Sequence, residues 1–273
     1  MFDRVLYVEF VTASGEIKRL EGIDVKFSIH KYMGVVMNEA NIELYNLAKE
    51  DVEYLTTFTS QFIAYEKRKR IRIFGGYKDT SVALLFDGDI TEAIPSTPPD
   101  ICLRCKAMTG HYGNSTIISK SITQPIAVKD MLKQASGWIG KEIKDFTTTD
   151  KKINGFYYTG AATQLIGQIN NIPNITCYED DEAICVVDSK SPNIDKEIRK
   201  INSSSGMIGI PQPDALGIKV NILLEPNIKL GQTIEIESSV IPACNGQYWI
   251  YEFTHRGHLR GTEFYTEISA RRK

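Results

Sequence analysis

Cys102 and Cys105 stand three residues apart in ICLRCKA, the spacing of half a zinc site or of a redox pair. A metal site needs a second pair of ligands, and a redox pair needs a helix start to hold its thiolate. Neither follows here, and the alternating pattern puts the two thiols on opposite faces of a strand. His255 and His258 form an HxxH, but helical metal pairs recur at i and i+4, whereas these flank Gly257 in a glycine turn; the expectation is two solvated loop histidines. His30 alternates outward on its strand, and His111 lies in a glycine-rich stretch.

Paired carboxylates are the next candidates. Asp87 and Asp89 surround Gly88 in FDGDI, and Asp180-Asp181-Glu182 crowd a hairpin tip. Such pairs do acid-base work when burial raises one pKa. Both sets read as exposed turns, where Asp is favoured for its own backbone hydrogen bonds, and the tip lacks the spaced ligand loop that calcium requires. The run Lys67-Arg68-Lys69-Arg70 could track phosphate, yet the stacking candidates Phe74 and Tyr77 sit at the far end of its strand. It reads as a solvated strand entry or a contact with an acidic partner subunit. No catalytic, metal or cofactor set is expected.

The elements that would position these residues are short strands. Val5 to Val11 and Ile17 to Leu20 flank Ala13-Ser14-Gly15 as a hairpin. Asp24 to Tyr32 alternates with Val25, Phe27 and Ile29 on one face, and Asn41 to Leu47 follows. Val52, Leu55, Phe58 and Phe62 then recur at helical spacing. Strands resume at Arg70 to Tyr77, Leu84 to Glu92 and Ile101 to Ala107, with bends at Gly75-Gly76 and Asp87-Gly88. Such a set of about six or seven strands closes as a barrel or a sandwich.

Glycine density rises over 110–114, which marks a boundary. Ala127 to Gly140 carries Val128, Met131, Leu132, Ala135 and Trp138 on one helical stripe, and Ala161 to Ile172 is a second helix. Two short strands, ITCYED and AICVVD, complete an α+β insert. Lys190 to Ser205 reads as a polar linker.

The last segment opens with MIGIPQP, where Pro211 and Pro213 mark an edge strand leaving its sheet. Ile218 to Leu224 and Thr233 to Ser238 are strands linked through Pro226 and Gly231. Gln247 to Thr254, with Trp249, Tyr251 and Phe253 alternating, and Thr262 to Ala270 close a second small antiparallel barrel. The organisation expected is mainly β: a barrel over 1–112, an α+β insert over 113–200 and a barrel over 201–273.

Composition is that of an ordinary globular chain of 273 residues, 42% hydrophobic and 24% charged, long enough for two or three cores. With 34 acidic against 32 basic residues the net charge is -2, so no global field draws it to nucleic acid or an anionic membrane. No window approaches a membrane span, and MFDRVLYVEF lacks a signal-peptide pattern. Five scattered cysteines read as reduced core residues, and folding in the cytoplasm is expected.

NIELYNLAKEDVEYL, with Tyr45 and Asn46, the IRIFGGY…LLFDGDI pair, with Gly76, Tyr77 and Gly88, and GMIGIPQP…GIKVNILLEPNIKLGQTIEIES, with Pro211, Pro226 and Gly231, resemble the baseplate hub proteins of contractile-tailed bacteriophages and phage-tail-like particles. The similarity covers nearly the whole chain. It implies a structural, non-enzymatic homotrimer in the virion's tail baseplate, whose paired tail-tube-like barrels make a pseudo-sixfold ring. Its implied partners are a tail tube or tube-terminating protein, a central spike, and wedge or tape-measure proteins, with DNA passing through unbound. No lysozyme or peptidase domain is expected in this chain. A cell-wall hydrolase using Asp87, Asp89 or Glu92 is one alternative, and a single-strand-binding barrel protein is the other. The insert's helix-hairpin form also resembles carbohydrate-binding repeats.

Overall fold

The computed structural model describes residues 3–12, 14–57, 69–97, 101–110, 117–148, 151–161, 164–181, 183–192, 194 and 197–273. His111, Glu182, Lys67, Arg68, Phe58 and Phe62 lie outside them.

The alternating segments all form strands. In the first group these are β1 (Arg4–Val11), β2 (Ile17–Leu20), β3 (Val25–Tyr32), β4 (Glu39–Tyr45), β5 (Arg70–Tyr77), β6 (Val82–Pro95) and β7 (Cys102–Met108), with helix α1 (Lys49–Leu55) between β4 and β5. Asn46, at φ +57, ends β4 in the left-handed region that asparagine tolerates. Gly76 is required by approach: a Cβ there would stand 1.9 Å from the Ser81 carbonyl oxygen. The pairing irregularities fall not at the glycines expected to bend but at Leu85, between the Ile73–Phe86 and Phe74–Leu84 pairs, and at Thr91, between the Ile90–Ala107 and Glu92–Lys106 pairs.

The insert holds β8 (Ile117–Ala127), α2 (Val128–Ile139), β9 (Glu142–Asp145), β10 (Lys152–Ala161), α3 (Gln164–Asn170), β11 (Ile175–Asp180) and β12 (Ala183–Asp188). Both helices and the β11–β12 hairpin match the sequence reading. The β8–β10 ribbon and the parallel β9–β12 pair were hidden: β8 is exposed along most of its length, and in β10 the exposed Tyr157 between the buried Phe156 and Tyr158 blurs the apolar rhythm.

The last group comprises β13 (Arg199–Ile201), β14 (Met207–Asp214), β15 (Gly217–Leu223), β16 (Thr233–Ile236), β17 (Gly246–His258) and β18 (Phe264–Arg272). The polar linker expected over 190–205 contains β13, which pairs in parallel with β16 and buries Ile201. The turn expected at Arg256-Gly257-His258 is continuous strand. Gly257 stands opposite Phe27 of β3, whose ring would meet a Cβ at 2.3 Å, so the glycine admits a neighbour's ring.

That pairing decides the architecture. The two strand groups are not separate closed barrels: they share one thirteen-stranded sheet running β14-β15-β18-β17-β3-β4-β7-β6-β5-β1-β2, with β16 and β13 beside β17. Among the described residues no pairing closes either group. The edge of β3 that closure would have to use is taken by β17, and β17 serves β18 on one side and β16 then β3 on the other.

Three apolar cores lie beneath. The first gathers Val8, Ile29, Ile42, Ile73, Phe86 and their neighbours, and also takes in Leu224 and Phe264 from the last group. The second, around Ile234, Trp249, Ile250 and Phe253, borrows Met33, Tyr178 and Val187. The third fills the insert between α2, α3 and β11–β12. Each core thus contains the residues of its own segment, and the first two reach across to the others.

Candidate functional site: a buried charge junction and the surfaces around it

Lys31 continues the core parity of Val25, Phe27 and Ile29, and it is 5% exposed. A buried ammonium must be paired. Its partners come from the insert: Nζ lies 3.1 Å from Asp180 Oδ1 and 2.6 Å from Asp181 Oδ2 at the β11–β12 tip. The ring of Phe253 stands 6.0 Å from the same nitrogen. Burial alone would lower the Lys31 pKa, but the two carboxylates outweigh it and hold the ammonium charged. One cation cannot satisfy two half-buried anions, so desolvation pushes Asp181 up to about 6 against the pull of Lys31, with Asp180 adding to the push.

The junction extends into β6. The Asp87 amide donates to Asp181 Oδ1 at 3.2 Å, while the Asp87 carboxylate accepts from Arg70 Nε at 2.6 Å, from a second Arg70 nitrogen, and from Arg72 Nε at 3.1 Å. Thr109 donates its hydroxyl to the Asp87 carbonyl at 3.2 Å. On the insert side the Asn38 amide donates to the Glu179 carbonyl at 2.9 Å, and Lys141 pairs with the Glu179 carboxylate. Tyr178 donates its hydroxyl to the Leu230 carbonyl at 3.0 Å, tying the insert to the last strand group.

Several sequence expectations are corrected here. Asp87 and Asp89 are 3% and 1% exposed, not turn residues in water: they alternate with Phe86 and Ile90 of the first core and so lie on the opposite face of β6, where Arg70 and Arg72 cover Asp87. Asp180 and Asp181 are held against Lys31 and not displayed at a free tip. His255 is 1% exposed in β17 and not in a loop; it continues the parity of Phe253, and its Nδ1 lies 2.8 Å from the Thr266 hydroxyl. Burial, with Lys31 nearby, lowers its pKa to about 3, so it is neutral. His258 is half-buried, with Nε2 3.0 Å from Asp24 Oδ2. Three residues apart on a strand, the two histidines face opposite ways and cannot share a metal. No group of three metal-ligating side chains occurs among the described residues.

The remaining predicted positions serve the frame. Lys69 donates to the Thr56 carbonyl at 2.8 Å and the Thr57 hydroxyl at 2.9 Å, so it and Arg70 are engaged within the chain. Tyr45 donates to Glu43 Oε2 at 2.6 Å, and its ring stacks on His258. Tyr77 donates to the Phe264 carbonyl at 3.1 Å and meets that ring edge-on, joining the two strand groups. A Cβ on Gly88 would stand 2.5 Å from the Phe86 ring. Pro211 lies in β14, Pro226 is buried in the link after β15, and Gly231, at φ +78, donates to the Ile250 carbonyl at 2.7 Å. All five cysteines are free thiols and buried; four lie in strands as expected, and Cys244 lies in a 3-10 turn over Pro242–Cys244.

Among the described residues no constellation joins a nucleophile, a base and an open pocket. What lies open to solvent is surface. A groove of about 420 Å³ crosses the solvent face of β3, β4 and β7, and the β14 arm exposes Ile208 and Ile210.

This is the fold of tail-assembly proteins. The chain superposes on the 43 kDa tail protein of prophage MuSo2 from Shewanella oneidensis with a TM-score of 0.65 over 98% of this chain and 97% of that one, at 7% identity. A tail protein from Neisseria meningitidis MC58 gives the same values, a TM-score of 0.65, 7% identity and coverage of 98% and 97%. The E. coli c3393 protein, a component of the type VI secretion system described as structurally similar to T4 tail proteins gp27 and gp5, matches at a TM-score of 0.61 and 11% identity over 92% of this chain and 74% of its own. No curated protein sequence matches the chain. Residues 5–270 match the model of the baseplate hub gp41 family, and the chain belongs to that family. It is a phage-tail structural protein of the baseplate hub family, and its fold is shared with phage tail proteins and with a type VI secretion component. None of the helices among the described residues is long and apolar enough to cross a membrane.

Proposed function

We propose that this chain is the subunit of a homotrimeric ring that joins a sixfold tail tube to a threefold central spike and leaves a channel for DNA. The observation that carries the reading is the β17–β3 pairing, which sets two strand groups with their own cores side by side in one chain. Three copies then present six such groups around one axis, while keeping three chain positions for the spike. The division into 1–112, 113–200 and 201–273 is the unit we infer for this repetition. Tyr45, Asn46, Gly76, Tyr77, Gly88, Pro211, Pro226 and Gly231 keep its strands in place.

The partners we infer are a tail tube or tube-terminating baseplate protein on one face and the spike on the other, with wedge or tape-measure proteins at the periphery. The setting is the virion baseplate, after assembly in the host cytoplasm. A net charge of -2 suits a channel in which DNA slides without being held. The test is the mass of the purified protein by light scattering, expected near three times 30.7 kDa, together with a ring and central hole in negative stain. A monomer at all salt concentrations overturns the reading.

A further inference from the structure

Two Asn-Gly sequences occur in the chain, Asn154-Gly155 in the β8–β10 ribbon and Asn245-Gly246 at the start of β17. Such a pair can react with itself. The glycine nitrogen has no Cβ beside it to hinder its approach to the preceding side chain, and attack on the asparagine Cγ closes a five-membered ring. Closure then depends on how freely the carboxamide and the backbone beneath it can move into place. The fold treats the two pairs differently.

The Asn245 carboxamide is held. Its Oδ1 accepts from the Ser238 amide at 2.6 Å, its own amide donates to the Pro242 carbonyl at 3.0 Å, and Gly246 is paired with Ile236 in the sheet. Asn202, which precedes Ser203, is fastened more fully: Oδ1 accepts from the Ser204 and Ser205 amides at 3.0 and 2.9 Å, and Nδ2 donates to Glu237 Oε2 at 3.1 Å. Asn154 differs in each respect. It is exposed, and its side chain has no hydrogen bond among the described residues. The ribbon pairs with no third strand among the described residues, and opposite Asn154 stands Pro125, which has no N–H to give the ladder. The register slips at the next position, where Gly155 takes φ +92. Little ordered structure therefore opposes rotation of the backbone between Asn154 and Gly155.

We propose that Asn154 is a self-modification site, at which the side chain closes on the Gly155 nitrogen and ends as aspartate or isoaspartate. The Gly155 nitrogen bonds to Asn154 Cγ and gives up its proton, while the carboxamide C–N bond breaks and its nitrogen leaves as ammonia. Water then adds to either carbonyl carbon of the imide ring. Opening on one side restores the main chain beside an aspartate; opening on the other routes the main chain through the side-chain carbon as isoaspartate. Water is the one co-reactant, and nothing is oxidised or reduced. Either product adds a negative charge to the insert, and isoaspartate also lengthens the ribbon by one main-chain carbon. This chemistry does not depend on the ring.

Incubating the full chain in warm, mildly alkaline buffer and mapping its peptides by mass spectrometry tests the site. Conversion at Asn154 is expected to outrun that at Asn245 and Asn202 by about tenfold or more, because their carboxamides are fastened away from the attacking nitrogen. Fragmentation that separates isoaspartate from aspartate is expected to find both at this position. In denaturant Asn154 and Asn245 are expected to react at similar rates, since the fold alone separates two pairs of the same sequence. Asn154→Gln, whose ring would need six members, is expected to remove the fast release of ammonia from the native protein and leave its circular dichroism unchanged. Equal native rates at Asn154 and Asn245 overturn the proposal. So does an Asn154 still intact in the native protein when the denatured chain has converted, or an ammonia release that Asn154→Gln leaves as fast as before.

Discussion

The ammonium of Lys31 on β3 stands 2.6 Å from Asp181 Oδ2 at the tip of the insert's hairpin, with almost no access to water. Two segments separated by 150 residues are thereby joined through an ammonium whose burial requires a carboxylate beside it. The insert is consequently docked on the strand groups and not merely tethered to them.

Removing the cation from this site should be costly. Lys31→Met leaves Asp180 and Asp181 facing each other without a counter-charge, and the loss expected is about 3–5 kcal/mol. Lys31→Met with Asp180→Asn and Asp181→Asn should recover much of it. Urea denaturation of the variants measures both values.

Asp181 and His255 should make stability depend on pH in opposite directions. The folded Asp181 carboxyl, at about 6 against an ordinary 3.8, binds its proton more tightly than the unfolded chain does. Its ionised form therefore burdens the fold above pH 6, and the burden lifts as pH falls toward 4. Asp181→Asn should stabilise the protein by roughly 1–3 kcal/mol at pH 8, an advantage that shrinks to nothing near pH 4.

His255 behaves the other way. Its folded value of about 3 lies below the ordinary 6.5, so the unfolded chain takes the proton first and stability is lost as pH falls from 6.5 toward 3. His255→Gln should gain on the wild type steadily through that window. Denaturation midpoints at pH 8, 6 and 4 for both variants provide the check.

Gly88 and Phe86 predict a steric effect. A Cβ at Gly88 meets the Phe86 ring at 2.5 Å and the Met108 carbonyl at 2.9 Å. Gly88→Ala should cost about 1–3 kcal/mol by overpacking, and Phe86→Leu should relieve part of that in the double variant. Thermal melts of the three proteins decide the matter.

The buried thiols should be silent in the native state. Burial pushes Cys105 and Cys185 up to about 12, so little thiolate forms at pH 8. Alkylation by iodoacetamide should be slow until denaturant is added, when all five cysteines react; mass spectrometry counts the adducts.

The sequence by itself determined the local elements. Alternation in VKFSIHKY and helical spacing in VKDMLKQASGWI are properties of neighbouring residues, and both survive into β3 and α2. The family resemblance was legible for the same reason, since its motifs are turns and strand ends such as Asn46 and Gly231. Lys31 was legible in principle, since it continues the core-facing parity of Val25, Phe27 and Ile29; His255 continues that of Phe253 only after a bulge at Tyr251 resets the alternation, and a titratable side chain at a loop-like signal reads as solvated. Only the tertiary structure decided that β17 pairs with β3, that Gly257 yields to Phe27, and that Asp181 meets Lys31. Those contacts join residues far apart in the chain, and no local periodicity encodes which strand edge finds which; the sheet takes the pairing that buries both cores and leaves no central edge bare.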